Sequence, residues 1–246
     1  VSYHAWGDTD TNVSEEDGMH PNNVDKQYHF FNPRAGVSYT LAERNNFYLS
    51  FAVAQKEPTR SDFTDRYKFA ADDTYPSSEK LYDWELGYQY TAPRLSLGVN
   101  LYYMKYKDQL VPTGMVNDDS NALNTNVPDS YRRGVELSAS WRATGWFTVG
   151  ANATFSQNRI ENYVDALKDS PTYGKELGDM TIAYSPDVIA NAFLNFHHRG
   201  FEAVFHTQHV GKQYFTNNEN DALSLDAYCV TNLNLAYTFR TRSARS

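Results

Sequence analysis

Apolar side chains alternate with small or polar ones along many short stretches of this chain. In residues 46–54, large apolar side chains such as Phe47 and Leu49 fall at every second position, and Ser50 and Ala52 fall between them. Successive side chains of a β-strand point to opposite faces, so this period of two predicts a strand with one apolar and one polar face. The alternation recurs in residues 95–103, 135–141, 147–156 and 231–239. Roughly nine or ten such strands are predicted, and helix is excluded as the main element.

The connections between the predicted strands alternate in length. Short turns carrying Pro, Gly or Asn fall near residues 42–46, 91–94, 143–146 and 198–201. Long polar excursions lie between them, at residues 56–80, 108–131, 158–187 and 211–228. A β-sandwich has no general reason to keep this order, whereas outer-membrane barrels have short turns at one end and long loops at the other. The pattern therefore predicts an all-β, transmembrane, antiparallel up-and-down barrel.

Composition is consistent with a membrane barrel. Aromatic residues make up 15% of the chain while mean hydropathy is only −0.65, and no run of about twenty apolar residues exists. A barrel strand needs only about ten residues, half of them apolar. Tyr82 and Trp84 lie near a long connection and Trp141, Trp146 and Phe201 near short turns, which suits two aromatic girdles. The alternative is that these rings fill the core of a soluble β protein.

Charge and cysteine content narrow the possible functions. The net charge of −8 argues against nonspecific nucleic-acid binding, so we expect no nucleic-acid partner. The single cysteine, Cys229, cannot form an intrachain disulfide. Asp83 and Glu85 share one face, but nothing in the sequence indicates an acid–base pair, and no Ser/His arrangement suits catalysis. We therefore expect no enzyme activity, no resident metal and no cofactor.

Several spaced segments together resemble a known family. These are residues 31–36, 48–63, 78–87, 106–110, 126, 133–137 and 184–186. Their order resembles that of the TonB-dependent outer-membrane receptors, which import iron complexes and vitamin B12. Residues 56–63 are similar to the family's segment built around Pro, Ser or Thr and an acidic residue, although Lys56-Glu57 replaces the commoner Arg-Ala.

The resemblance implies that the chain is a piece of a larger molecule. The family's barrels have twenty-two strands, so residues 1–246 would form part of a single barrel domain, incomplete at both ends and without the plug domain. No signal peptide is visible in residues 1–10, and the chain runs past Phe239 into a polar tail. The implied partners are outer-membrane lipid, the plug domain of the same full-length chain, the TonB energy-coupling complex and a small metal-complex or vitamin ligand.

The expected function is TonB-dependent active import across the outer membrane, with a ferric siderophore or related iron complex as the favoured substrate. Within the family, a haem or vitamin B12 receptor is an alternative. Outside it, a small self-closed barrel acting as a passive pore or adhesin is possible, but such a barrel should end on an aromatic residue.

Candidate site residues fall into two groups. Polar residues on inward-facing positions would be costly in a dry core but are tolerated in a wet lumen or against a plug: Asp83, Glu85, Asn100, Glu136 and Asn152. Residues in or beside the long external loops are candidates for ligand contact, because loops outside the membrane are free to vary: Phe63, Tyr67, Phe69, Tyr75, His206, His209, Tyr214 and Phe215. Aromatic side chains there suit flat or catecholate-bearing complexes, or instead pack the loops together. His206 or His209 would be the axial ligand of a haem receptor, although a strand histidine is usually polar lining.

Overall fold

The structure, a computed structural model, describes residues 2–5, 24–64, 76–116 and 122–239. Its elements are β1 (Ser2–Ala5), β2 (Val24–Gln27), β3 (Arg34–Leu41), β4 (Asn45–Lys56), α1 (Arg60–Thr64), β5 (Glu79–Ala92), β6 (Leu95–Val116), β7 (Ala122–Arg142), β8 (Phe147–Ile160), β9 (Met180–Thr181), β10 (Val188–His198), β11 (Phe201–Val210), β12 (Gln213–Tyr214), a 3₁₀ turn (Asp221–Leu223), β13 (Ser224–Leu225) and β14 (Tyr228–Tyr237). Within these ranges no helix has the length and apolar character needed to cross a membrane.

One antiparallel sheet of ten strands dominates the fold. Its order is β14-β11-β10-β8-β7-β6-β5-β4-β3, with the short β9 paired to β8 beside this path. Apart from the short elements inside the loops, each strand pairs with its neighbour in the sequence, which is the predicted up-and-down arrangement. In the described residues β3 and β14 are the two edges, and they do not pair with each other. In the described residues the main sheet is therefore open, with ten strands and two unpaired edges.

Connection lengths alternate as predicted. Residues 42–44, 93–94, 143–146 and 199–200 form the short turns at one end of the sheet, which we call the short-turn end. Residues 57–78, 161–187 and 211–227 form long connections at the opposite, long-loop end. The interpretation of residues 108–131 as a polar excursion is wrong in one respect, because β6 and β7 continue as paired strands in the described residues 108–116 and 122–131.

Within the β6–β7 hairpin, Asp108 has a left-handed φ of 52°. Before this residue the odd-numbered Lys105 and Lys107 share a face with the apolar side chains, whereas after it Val111 and Thr113 are buried. Asp is one of the few residues with a side chain that tolerates the left-handed region. A small hydrophobic cluster forms at this end of the hairpin from Val111, Val127, Ile160, Tyr163 and Ile182.

Most of the sheet's large apolar side chains are exposed. Leu49 is 52% exposed, Leu86 51%, Leu101 48% and Leu235 63%. They share one side of the sheet, which we call the apolar face; the other side is the polar face. Contiguous exposure on this scale is unfavourable in water and suits contact with lipid, so the aromatic residues do not fill a soluble core.

Aromatic rings on the apolar face gather at two levels. At the long-loop end, ring centroids are 5.1 Å apart for Phe51 and Trp84, 5.7 Å for Trp84 and Tyr103, and 6.4 Å for Tyr103 and Tyr131. At the short-turn end, the centroids of Phe147 and Phe196 are 4.6 Å apart and those of Trp146 and Phe196 are 6.1 Å apart. Rings at two levels with aliphatic side chains between them correspond to the two predicted girdles.

Glycines on the polar face allow aromatic rings to lie flat across neighbouring strands. A Cβ added at Gly87 would lie 2.0 Å from the Tyr48 ring, and one at Gly134 would lie 2.7 Å from the Tyr102 hydroxyl. At Gly134 the added atom would also lie 2.4 Å from the backbone oxygen of Phe155, which a side-chain rotation cannot relieve. Gly87 and Gly134 belong to the family-like segments 78–87 and 133–137. Close packing against aromatic side chains explains why glycine stands at both positions.

We expect Gly134→Ala to destabilise the barrel by about 1–3 kcal/mol, because strands β7 and β8 must separate to admit the methyl group. The measurement is the urea midpoint of the folded full-length protein in lipid vesicles. Gly145→Ala is the matched control, because a Cβ at Gly145 has nothing within 4 Å. Equal midpoints for the two variants would contradict this account of the close approach.

Candidate functional site

The five predicted lumen residues all lie on the polar face of the sheet. Asn100 and Glu136 are direct Cα partners, as are Gly98 and Ser138, and Ser138 in turn pairs with Asn152. Glu85 pairs with Tyr102, two residues along β6 from Asn100 and on the same face. Strand pairing therefore brings together Asp83, Glu85, Asn100, Glu136 and Asn152, as the alternation predicted. Their contact with a plug stays a prediction.

This polar cluster keeps unused acceptor capacity. Asn100 Nδ2 donates to Glu136 Oε2 at 3.2 Å, and Asn191 Nδ2 donates to Asn152 Oδ1 at 3.0 Å. Asp83 Oδ1 and Asn100 Oδ1 are shielded from solvent and accept no hydrogen bond from the described residues. Acceptors without a donor are costly, so this surface favours a partner that brings N–H groups or positive charge.

A cavity of about 350 Å³ lies between the polar face and the long loops. We call it the mouth cavity. Its lining includes the carboxylates Glu85 and Glu136 from the sheet, Tyr102, Arg132 near the long-loop end of β7, and Tyr184 from the connection that precedes β10. The lining thus combines one cation and two aromatic rings above two carboxylates.

Arg132 is held in a fixed orientation. Its Nη1 donates to Ser185 Oγ at 3.0 Å and to Asn158 Oδ1 at 3.4 Å. Both partners are buried, with Asn158 5% and Ser185 9% exposed. Because a guanidinium carries five N–H donors, these contacts leave N–H groups for an anionic or oxygen-rich ligand.

Tyr184 has a strained backbone and an exposed ring. Its φ is 56°, in the left-handed region that bulky residues avoid, and its side chain is 58% exposed. The backbone N–H of Tyr184 donates to the carbonyl of Tyr214 at 2.8 Å, and its ring centroid lies 5.7 Å from that of Phe215. Strain of this kind costs about 1–3 kcal/mol and clusters at ligand-contacting positions. Two adjoining long connections thus present a pair of rings beside the cavity.

Buried polar side chains join those two connections into one platform. Asn217 is 1% exposed; its Oδ1 accepts from the N–H of Ala183 at 2.7 Å and its Nδ2 donates to the carbonyl of Pro112 at 2.6 Å. The Glu219 carboxylate accepts from Arg159 at 2.7 Å and from the N–H of Thr181 at 2.9 Å. The end of the β6–β7 hairpin and the two loops are therefore positioned relative to one another.

Of the predicted loop residues, Phe63 lies in α1 and is only 1% exposed. Its ring packs within the loop, which was the alternative to ligand contact. Tyr67, Phe69 and Tyr75 lie outside the described residues. Ligand contact by these four residues stays a prediction.

Tyr214 and Phe215 lie beside the mouth cavity. The Tyr214 ring is half-buried beneath the Lys212 ammonium, which is 4.9 Å from the ring centroid. Phe215 is 37% exposed and contacts Tyr184. Of the predicted loop residues that the structure describes, Phe215 is the one with an exposed ring that packs against another exposed ring, that of Tyr184.

His206 and His209 lie on opposite faces, because they are three positions apart along β11. His206 pairs with Phe193 and Asn232 on the polar face. His209 pairs with Ala190 and Cys229 on the apolar face, where its Nδ1 is 3.3 Å from the Cys229 sulfur. They cannot serve one ligand together. In the described part of the chain no group of three His, Cys, Asp or Glu side chains is arranged to hold a metal ion.

Arg132 and Tyr184 were not predicted as site residues. Arg132 could have been found from its even-numbered position, which puts it on the same face as Gly134 and Glu136. No sequence signal indicates the left-handed conformation of Tyr184, since the following Ser185-Pro186 only marks a loop.

Residues 2–245 match a family model described as TonB dependent receptor-like, beta-barrel. Solved structures with the same fold include the ferric yersiniabactin uptake receptor FyuA from Yersinia pestis, at 19% identity and a TM-score of 0.60. They also include the copper transporter OprC, at 18% and 0.64, and the ferric-catecholate import receptor Fiu from E. coli K12, at 17% and 0.61.

The matched part is most of this chain but a minor part of each of those proteins. The alignments cover 83%, 84% and 97% of this chain, and 29%, 31% and 34% of the three receptors, in the same order. The chain thus spans about a third of the length of these structures. At such low identities the likeness shows the shared fold.

The loop platform gives a prediction about Asp165, a carboxylate that is 1% exposed. Burial raises its pKa, but hydrogen bonds from Ser170, Thr172 and the N–H of Leu167 outweigh burial and hold the pKa below its ordinary 3.8. The stabilisation is therefore complete above pH 3.8 and is lost as the pH falls through the lower folded-state pKa.

Asp165→Asn leaves one acceptor oxygen where the carboxylate has two, and we expect it to destabilise the loop by about 1–3 kcal/mol. Amide hydrogen exchange of residues 163–175 at neutral pH should become faster by about tenfold or more. Asp169→Asn, on an exposed residue of the same loop, is the charge-matched control. Unchanged exchange in Asp165→Asn would show that the carboxylate does not hold the loop.

Proposed function

Because the chain belongs to the family of TonB-dependent receptor-like β-barrels, we propose that it is part of an outer-membrane receptor that imports a scarce nutrient by TonB-dependent active transport. The favoured substrate is a ferric siderophore or a related iron complex. Residues 1–246 would form part of a single barrel domain in a longer chain. The family match over residues 2–245 is the observation that carries this proposal.

An outer-membrane, multi-pass location is supported by the two faces of the sheet. Its apolar face carries exposed aliphatic side chains between two aromatic levels, as a lipid-facing barrel wall requires. Its polar face would line the lumen. Outer-membrane lipid is then the partner of the apolar face.

The open edges of the sheet favour a large barrel over a small passive pore or adhesin. In the described residues β3 and β14 each pair on one side only. Unpaired backbone groups in the hydrocarbon region cost several kcal/mol each, so further strands are needed at both edges. A self-closed barrel would instead pair β3 with β14.

The polar cluster suits a plug domain from the same full-length chain. Asp83, Glu85 and Glu136 supply negative charge, and the unused oxygens of Asp83 and Asn100 would accept hydrogen bonds from plug residues. Asn152 extends this surface toward β10 through Asn191. Pulling by the TonB energy-coupling complex would then open the lumen.

The mouth cavity suits a flat, anionic complex. Arg132 offers positive charge, and Tyr184 with Phe215 offers ring surfaces for stacking. Ferric catecholates and phenolates combine aromatic rings with negative charge. Similar structures are described as receptors for ferric yersiniabactin, ferric catecholate and ferric enterobactin, which supports this class.

The test is uptake of ⁵⁵Fe by a host that lacks its own siderophore receptors and expresses the full-length protein. Ferric enterobactin and ferric yersiniabactin are the probes, each with and without functional TonB. We expect TonB-dependent accumulation of at least one complex. Accumulation that is equal without TonB would favour a passive pore, and no accumulation of either complex would overturn the proposed substrate class.

The mouth cavity gives a sharper prediction for the imported complex. Tyr184→Ala and Phe215→Ala should each weaken its binding about two- to tenfold, because a stacked aromatic contact contributes roughly 0.5–1.5 kcal/mol. Binding is measured by quenching of intrinsic fluorescence in detergent. Tyr173→Ala is the control, since Tyr173 is 48% exposed on the connection that carries Tyr184 but neither lines the cavity nor makes the ring contact that joins Phe215 to Tyr184. Equal affinities in all three variants would show that the rings of Tyr184 and Phe215 do not contact the complex.

A further inference from the structure

Basic side chains border the apolar face at its long-loop end. They come from four neighbouring strands: Lys80 on β5, Lys105 and Lys107 on β6, Arg133 on β7 and Arg159 on β8. Their positions alternate with those of the polar cluster, so they lie on the side of the sheet that carries the exposed aliphatic residues.

Strand register arranges this border in successive rows of Cα partners. From the middle of the sheet toward the long loops, the rows are Leu86-Leu101-Val135, then Trp84-Tyr103-Arg133, then Tyr82-Lys105-Tyr131-Arg159, then Lys80-Lys107-Asp129. From the first row to the fourth, the side chains change from aliphatic to aromatic and then to mainly charged. The charged residues therefore begin within the aromatic girdle and continue just beyond it.

The spacing of the rows matches the depth of lipid head groups. Successive rows are two residues apart, or about 6.8 Å along a strand. A tilt of about 40° reduces this to roughly 5 Å along the membrane normal. The head-group zone extends about 5–8 Å beyond the hydrocarbon on each side. The two outer rows fall within that zone and slightly beyond it.

Carboxylates neutralise only part of this positive charge. Lys105 Nζ lies 2.9 Å from Asp129 Oδ1 and 2.6 Å from Glu161 Oε2, and Lys107 shares Asp129 at 2.5 Å. Arg159 bonds Glu219 at 2.7 Å. Three of the five cations thus pair with three carboxylates, and the border keeps positive charge although the whole chain carries a net charge of −8.

Lys80 and Arg133 have no carboxylate partner in the described residues, and each makes a cation–π contact with an aromatic ring. The Lys80 ammonium lies 4.9 Å from the centroid of Tyr82, and the Arg133 guanidinium lies 5.2 Å from that of Tyr131. Arg133 Nε and Nη2 both donate to Gln157 Oε1, which leaves Nη1 without a partner in the described residues. Cations that lie against girdle rings can direct their remaining N–H groups toward lipid phosphates.

We propose that this border, centred on Lys80 and Arg133, is a binding surface for the phosphate groups of lipids in the outer leaflet. It rests on the membrane location proposed above but not on import, so lipid binding and nutrient uptake can fail independently. Phosphate oxygens would accept hydrogen bonds from the free N–H groups of Lys80 and Arg133. The ion pairs around Lys105 would keep the neighbouring side chains in place.

The first test compares two lipids on the unmodified full-length protein in detergent. The probes are lipid A with both phosphates and the same lipid after dephosphorylation, and bound lipid is counted by native mass spectrometry. We expect retention of the phosphorylated form only, weakened by salt and not displaced by millimolar inorganic phosphate. Equal retention of both forms would overturn the proposal, and displacement by inorganic phosphate would show a free-anion site instead.

The second test compares charge-matched double variants. Lys80→Gln with Arg133→Gln should weaken binding of phosphorylated lipid A at least fivefold, since each cation near a charged membrane surface contributes about fivefold. Lys168→Gln with Lys175→Gln removes the same charge from exposed positions on the loop of residues 161–187 and should leave binding unchanged. Exchanging the two cations, by Lys80→Arg with Arg133→Lys, should retain it. If both double Gln variants lost binding of phosphorylated lipid A equally, the effect would depend on net charge alone, and the proposed site would be wrong.

Discussion

Backbone hydrogen bonding is the constraint on which this structure depends. A sheet with an apolar face that contacts lipid has no water to satisfy its N–H and C=O groups, so every strand must pair with a neighbour on each side. In the described residues the seven inner strands of the main sheet meet this condition with antiparallel partners on both sides, whereas β3 and β14 are paired on one side only. The period of two, the short turns and the need for further strands beyond β3 and β14 are consequences of the same requirement.

Packing density is unevenly distributed because of that constraint. Through the membrane-level part of the sheet, most large side chains face outward and few are buried. Compact packing occurs at the long-loop end, where Val111 clusters with Ile160 and Tyr163. Buried amide and carboxylate groups, chiefly Asn217 and Asp165, then fix the loops. A fixed platform can carry a strained residue such as Tyr184, which a flexible loop would release.

The sequence allowed the sheet to be predicted in far more detail than the site. Alternation identifies strands directly, because each strand shows its own two faces, and it placed Asp83, Glu85, Asn100, Glu136 and Asn152 correctly on one side. The same rule separates His206 from His209, although both had been grouped as loop-end candidates. Loop residues follow no such period. The burial of Phe63, the burial of Val111 and the contact of Tyr184 with Phe215 depend on tertiary contacts between segments far apart in the chain, and no local pattern encodes them.

Charge changes sign along the proposed route of the ligand. Arg132 and Glu136 share the polar face of β7 four residues apart, which is about 14 Å along the strand. An anionic complex attracted to Arg132 would also face Glu136 and Glu85 deeper in the same cavity, where like charges repel and repulsion is weakly screened in a site partly shielded from water. Arg132 would therefore favour binding at the mouth, and the two carboxylates would oppose passage further into the lumen. Such an arrangement favours retention of an anionic complex at the mouth over passive leakage through the lumen, which agrees with the energy-coupled import proposed above.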